Sequence, residues 1–354
     1  MSLEDYGWND FFADSFSTLD DPALEPGRVL LARARLYRVA LERGEFEASL
    51  AGRLRIAATT SAELPAVGDW VAVRAADEVS VRIEHVLERR IWLSRKGAGK
   101  RHEEQVVAAN VDAVFVVMGL DGDFNLRRVE RVLILVRESG ARPVILLNKL
   151  DLCDDPGGRL ESVRGVASGV PVLLTSCLSA EGLEAVRREI RAGETTALIG
   201  SSGVGKSTLI NHLSDGVVQP TQAVREGDDR GRHTTTHREL FRLPGGGLLI
   251  DNPGIREVQL WSGEESLEQT FDDVAALSRS CRYRDCSHES ETGCAVLAAI
   301  RDGALAASRL ESYRALRKEV RYLELKRNES AQRVQKKKWR AIHREMRRSG
   351  KNRR

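Results

Sequence analysis

The most explicit chemistry lies in eight consecutive residues, Gly200-Ser201-Ser202-Gly203-Val204-Gly205-Lys206-Ser207. They fit G-x-x-x-x-G-K-[ST], a loop whose backbone N–H groups turn inward onto phosphate oxygens. In that chemistry Lys206 reaches the β- and γ-phosphates and Ser207 ligates Mg²⁺. Thr208 continues the helix that opens there, and the helix N-terminus adds partial positive charge. Upstream, Asn148-Lys149-Leu150-Asp151 has the form that reads guanine. The Asp151 carboxylate accepts from N1–H and from the exocyclic amine. Adenine offers neither donor and would leave the carboxylate unpaired, a mismatch that can reach about 10⁴-fold in discrimination. Thr175-Ser176-Cys177 is placed to support the base through backbone N–H groups. In Asp251-Asn252-Pro253-Gly254, Asp251 can hold Mg²⁺ through water and the Gly254 N–H can sense a γ-phosphate. A simple Asn-Pro-Gly turn is the other reading of those four.

Between the phosphate loop and Asp251 lies Gly231-Arg232-His233-Thr234-Thr235-Thr236. One of the threonines can complete the Mg²⁺ shell with GTP bound and release it on hydrolysis. The chemistry does not choose among them; Thr235 is the candidate ligand and Thr236 a nucleotide contact. His233 is a candidate to orient or deprotonate the attacking water, alongside Lys206; a surface histidine without catalytic duty is the alternative. Ile255 stands where Ras-like enzymes place the glutamine that orients water, so intrinsic hydrolysis should be slow. A second chemistry appears in Cys281-x₄-Cys286-x-His288-x₅-Cys294: three thiolates and one imidazole form a closed four-coordinate set for structural Zn²⁺.

These groups need elements to position them. Continuous apolar runs at 113–118 and 143–147, a further strand at 171–174, a strand at 195–199 ahead of the phosphate loop and another at 248–250 predict a mostly parallel sheet covered on both faces. Helical spacing over 125–138 and at 182–191 places helices between strands, which makes this an α/β domain. Residues 28–96 read as short strands broken by turns, including 70–73 and 79–83, and predict a small barrel. Pattern alone leaves an oligonucleotide-binding (OB) and an SH3-like barrel both open. Gly97-Ala98-Gly99-Lys100 reads as a linker. Residues 1–27 hold Tyr6, Trp8, Phe11, Phe12 and Phe16 among seven acids, an arm that either docks on the next domain or stays unfolded. From about Thr270 the chain turns helical, with apolar spacing from Ala295 to Leu325.

A length of 354 residues suggests two or three domains, and an apolar fraction of 42% is ordinary for a soluble chain. No apolar stretch is long enough to span a membrane, and the acidic N-terminus lacks the basic start of a secretory signal, so a cytoplasmic protein is expected. Three of the five cysteines fall in the metal-type cluster. The net charge of +3 is unevenly spread. Residues 321–354 carry 14 Lys/Arg against 3 Asp/Glu, a net of +11, and the remaining 41 basic and 49 acidic residues leave −8. A basic tail on an acidic body points to a polyanionic partner.

The order of motifs is unusual. Ras-like GTPases run phosphate loop, switch threonine, D-x-x-G, N-K-x-D, whereas here Asn148–Asp151 precedes Gly200–Ser207, as in a circular permutation. With the Cys-x₄-Cys-x-His-x₅-Cys cluster, Pro65–Trp70 and Gln105–Asp112, the chain over roughly 28–320 closely resembles the circularly permuted, ribosome-associated GTPases called RsgA or YjeQ. The resemblance implies an N-terminal OB-type β-barrel, a central permuted α/β GTPase domain and a C-terminal α-helical zinc-binding domain. The expected boundaries are an arm at 1–27, the barrel at 28–98, the GTPase domain at 99–265, and the zinc domain with its basic tail at 266–354. It also implies late maturation of the small ribosomal subunit, GTP hydrolysis stimulated by that subunit, and a hydrophobic residue in place of the glutamine, which fits Ile255. A catalytic histidine proposed in the G-R-H-T-T-T switch maps to His233.

The expected function is therefore a GTPase that hydrolyses GTP to GDP and phosphate with Mg²⁺, carries one structural Zn²⁺, and binds the small subunit and its rRNA as a monomer. No membrane or DNA partner is expected. The alternative is an RNA-binding scaffold in which GTP is a ligand switch and hydrolysis is incidental. A small-molecule kinase using the phosphate loop finds no support in Asn148–Asp151.

Overall fold

The computed structural model describes residues 2–33, 36–96, 104–214, 216, 238–251, 264–323 and 325, without the side chains of 95 and 96. Two compact units divide the chain, Met1–Gln259 and Leu260–Arg354.

The first unit opens with a helix, α1 (Asp10–Ser17). Five strands follow: β1 (Glu25–Arg33), β2 (Leu36–Leu41), β3 (Gly44–Leu50), β4 (Trp70–Ala75) and β5 (Ser80–Val86), with a short α2 (Gly52–Ala57) between β3 and β4. They pair in the order β1-β2-β3-β5-β4, and β4 returns to β1, so the sheet closes into a five-stranded barrel of the OB type. Val29, Val39, Val71, Val73, Val81 and Ile83 fill its interior with essentially no exposure. The aromatic arm docks on this barrel: the Trp8 ring meets Trp70 edge-on at 4.6 Å, and Phe12, 1% exposed, lies 5.7 Å from the same ring.

β6 (Trp92–Lys96) and β7 (Glu104–Ala109) form a separate hairpin; the expected linker at 97–100 lies outside the described residues. The α/β part then runs β8 (Ala113–Gly119), α3 (Leu126–Ser139), β9 (Arg142–Asn148), α4 (Pro156–Arg164), β10 (Val172–Leu174), α5 (Leu183–Arg188), β11 (Thr195–Gly200), α6 (Lys206–Leu213), β12 (Arg238–Arg242) and β13 (Leu248–Asp251). The spatial order is β10-β9-β8-β11-β13-β12. All are parallel except β12, which pairs antiparallel with β13 and, at Glu239 and Arg238, with Leu31 and Ala32 of β1. One sheet therefore continues from the α/β part into the barrel. Every residue of β8 is buried, as a central strand covered on both faces requires.

Arg28 of β1 is fully buried at the junction of arm, barrel and sheet. Its guanidinium donates to Tyr6 O, Asn110 O and Thr195 Oγ1 at 3.0–3.3 Å and lies 5.2 Å over the Trp70 ring. Burial lowers its pKa to about 10, with Asp112 and Asp69 nearby opposing the shift.

The second unit contains α7 (Glu264–Thr270), α8 (Asp272–Ser278), α9 (Ala295–Arg301) and a helical run over 307–323. The apolar spacing from Ala295 onward is thus split: Asp302 and Gly303 end α9, and Gly303 takes φ +75°, which a continuing helix cannot use. Phe271, Val274, Val296, Leu310, Tyr313 and Val320 form its core, and Arg309 stacks on Phe271 at 4.1 Å while pairing with Asp273. No helix among the described residues is long and apolar enough to cross a membrane.

Candidate nucleotide site and metal centre

Because β8, β9, β10, β11 and β13 run parallel, their C-terminal ends share one edge, where open α/β sheets bind ligands. Register places Gly119 beside Asn148, Leu147 beside Leu174, Val117 beside Gly200, and Leu198 beside Asp251. The base motif, the 175–177 turn, the phosphate loop and Asp251 therefore meet on that edge although they are scattered through about 100 residues of chain. Below it, Phe115, Val117, Leu146, Leu198, Leu209 and Ile210 pack as one buried cluster.

The phosphate loop turns on glycine. Gly203 and Gly205 take φ +77° and +99°, and a Cβ on Gly205 would run into the Asn148 amide. Gly200 lies too close to Val117 O to carry a side chain. Val204 is buried and anchors the loop from below, while Ser202 points to solvent. Lys206 opens α6 and its Nζ donates to Gly200 O at 2.8 Å and Ser201 O at 2.6 Å. Ser207 and Thr208 follow in the first turn of α6. Asp251 ends β13, 2% exposed.

Asn148 is 3% exposed and joins three segments. Its Nδ2 donates to Val204 O at 2.7 Å, and its Oδ1 accepts from the Cys177 N–H at 3.2 Å and from Thr175 Oγ1 at 3.3 Å. The amide holds the base turn against the phosphate loop, a role the motif does not reveal. Lys149 sits at φ +66°, and its Nζ pairs with Asp121 Oδ2 at 2.7 Å. The Asp151 carboxylate accepts from Ser176 Oγ. Cys177 is buried, and burial pushes its thiol up to about 11, so it stays protonated at neutral pH. Its carbonyl accepts from His212 Nε2 at 2.8 Å, which assigns the imidazole proton to that nitrogen. Asp121 belongs to none of the sequence motifs. Burial raises its pKa, but donation from Lys149 and from the Asp123 N–H outweighs burial and holds the carboxylate below its ordinary range. Its only sequence signal is an acidic residue just past the end of β8. His233, Thr234, Thr235, Thr236, Gly254 and Ile255 lie outside the described residues, as does the tail beyond residue 325.

In the second unit the ligand atoms of Cys281, Cys286, His288 and Cys294 all lie within 4.8 Å of one another. Cys281 follows α8, Cys294 caps α9 with its Sγ accepting from the Leu297 N–H at 3.4 Å, and His288 reaches the cluster from φ +61°. His288 Nδ1 stands 3.6 Å from Cys281 Sγ and 3.4 Å from Cys294 Sγ, and the two sulfurs are 3.9 Å apart. Those spacings suit donors about 2.0–2.3 Å from a common tetrahedral ion. The protons agree. Ser278 Oγ donates to Val274 O at 2.8 Å, so it accepts from His288 Nε2 at 3.0 Å, which leaves Nδ1 as the lone-pair donor. Burial raises Cys281, but the Ala295 and Val296 N–H groups outweigh it and lower its pKa; burial pushes Cys286 up to about 11. A metal taking all three thiolates must therefore displace protons.

Comparison with known proteins decides the family. Residues 86–261 match the RsgA GTPase family model. A small ribosomal subunit biogenesis GTPase RsgA from Opitutus terrae is 44% identical over 97% of this chain and 96% of its own length. One from Methanosarcina acetivorans is 43% identical over 95% and 90%. The chain belongs to the RsgA GTPase family. Among solved structures, YjeQ from Thermotoga maritima superimposes with a TM-score of 0.62 at 26% identity, covering 84% of this chain and 98% of that one. YloQ, described as a circularly permuted GTPase, gives 0.60 at 27% identity, covering 85% and 96%. As an RsgA-family member the protein is a permuted GTPase, with GTP, GDP and Mg²⁺ as its ligands. The motif order read from the sequence has this explanation: the strands keep their places in the sheet while the chain visits them in a different order.

Proposed function

We propose that this GTPase acts in biogenesis of the small ribosomal subunit, hydrolysing GTP to GDP and phosphate at a rate the subunit raises. Near-full-length relatives bearing that name support the role. The observation that carries the site is the Asn148 bridge to Val204, which ties base reader to phosphate loop so that one nucleotide spans both. In this reading Asp151 takes the guanine N1–H and amine, with Lys149, Ser176 and Cys177 around the base. The backbone of Gly200–Gly205 and the Lys206 ammonium take the phosphates, and Thr208, Thr236 and Gly254 contribute nucleotide contacts. Ser207, Thr235 and Asp251 hold Mg²⁺, which when bound neutralises phosphate charge. His233 orients or deprotonates the attacking water in place of the glutamine that Ile255 replaces. Cys281, Cys286, His288 and Cys294 hold one structural Zn²⁺. The proposed domains are those read from the sequence, 28–98, 99–265 and 266–354 behind the arm at 1–27. The barrel, the zinc unit and the +11 tail contact rRNA, and the protein works as a cytoplasmic monomer.

The experiment is GTP turnover titrated with purified small subunits, large subunits and naked rRNA. Small subunits should raise turnover about tenfold or more, in keeping with trans-activated GTPases. Equal turnover with and without them would support instead the scaffold in which hydrolysis is incidental.

A further inference from the structure

The loop after β8, Leu120 to Asn125, and the first turn of α3 together touch both halves of the nucleotide site. Asp121 holds Lys149 of the base motif, and its Oδ1 accepts from the Asp123 N–H at 3.1 Å. Asp123 pairs with Arg128, the third residue of α3. Arg128 Nη1 also donates to Ser201 Oγ, in the phosphate loop, at 2.5 Å. Ser201 thus receives two cations: Arg128 on its hydroxyl and Lys206 on its carbonyl, at 2.6 Å. Lys206 is the residue that the loop chemistry sends to the β- and γ-phosphates. A guanidinium bonded to the same serine flanks the same place. Its Nη2 and Nε have no acceptor among the described residues, and its side chain is 42% exposed. The helix fixes its root, because the Arg128 N–H is taken by the capping side chain of Asn125 at 3.1 Å.

We propose that Arg128 is a phosphate-contacting residue of this site, carrying its guanidinium from Asp123 to the terminal phosphate of GTP. The inference rests on the GTPase reading above. A triphosphate competes with the Asp123 carboxylate for the same donors, and a planar guanidinium bonds phosphate oxygens in pairs. GDP lacks the terminal group and leaves Arg128 on Asp123. Arg128 therefore separates triphosphate from diphosphate, a distinction that neither Asn148–Asp151 nor the loop amides make.

The test measures dissociation constants for GDP and for a non-hydrolysable β,γ-imido GTP analogue, with Mg²⁺, on the full chain. Arg128→Ala should weaken the triphosphate analogue at least tenfold more than GDP, and Arg128→Lys should fall between. Asp123→Asn should tighten the analogue and leave GDP within twofold; it keeps Arg128 in place, so it decides the matter even if Arg128→Ala folds poorly. Equal losses for both nucleotides in Arg128→Ala would reduce Arg128 to a brace of the loop and overturn the inference. An Asp123→Asn protein with an unchanged ratio would do the same. Failure of the unsubstituted protein to bind either nucleotide would overturn the GTPase reading beneath it, an outcome distinct from a fixed ratio.

Discussion

At the nucleotide edge, polar groups stand on the ends of strands whose own residues are almost entirely buried. At Cys281–Cys294 they stand on the ends of two seven-residue helices and the loop between them. The first arrangement is held from beneath by a sheet and its packed clusters, and side chains such as Asn148 tie together the loops on top. The second has helices too short to persist alone, so four ligands converging on one point are the main constraint on its loop. The difference teaches where each site's geometry comes from. One is a property of the fold that a ligand then uses. The other, with zinc bound as proposed, is a geometry that the ion would help to create.

Removing zinc should therefore break the comparison open most widely. Cys286→Ala, or exhaustive chelation, should cost the second unit its folded structure, since structural zinc contributes about 10–16 kcal/mol of apparent binding energy in small zinc domains. Limited proteolysis should then cut within 264–323, while GDP affinity stays within about twofold. Because the Cys286 thiol must lose its proton to bind, zinc affinity should also fall as pH is lowered. A zinc-free protein that resisted protease as well as the loaded one would make the cluster an ordinary set of buried thiols.

A smaller change sharpens the same contrast. Ser278→Ala removes the acceptor that fixes the His288 tautomer and should lower zinc affinity about tenfold, at the low end of what outer ligand partners contribute. Chelator competition reads it directly. An unchanged affinity would mean that the backbone at φ +61° orients the ring without help.

What the sequence made legible follows the same division. The phosphate loop could be read because its chemistry lies in consecutive backbone amides and one lysine. The metal set could be read because four ligands, three cysteines and a histidine, fall within 14 residues. The roles of Asn148, Asp121 and Arg128 could not, since an amide or a charge in a loop carries no sign of the segment it will meet from 28 to 73 residues away. Barrel closure was open for the same reason. The parallel pairing of β3 with β5 and the return of β4 to β1 separate the OB form from other small barrels, and neither leaves a periodic trace. The arm's aromatic residues admit two readings in the sequence, and the contacts of Trp8 and Phe12 with Trp70 select the docked one. Gly303 was hidden inside a run with helical spacing, where only its left-handed backbone marks the break.

The central claim is that this edge of the sheet is a guanine site assembled from permuted motifs. Asp151→Asn tests it most directly, through competition between GTP and xanthosine triphosphate for the purified protein. The asparagine amide can accept from N1–H and donate to the 2-oxo group of xanthine, but with one acceptor oxygen it cannot take both N1–H and the exocyclic amine of guanine. GTP affinity should fall by about 10²-fold or more while xanthosine triphosphate gains, in keeping with the cost of unpaired polar groups in a specific site. A variant that kept its preference for GTP would place the base reader elsewhere and contradict the account.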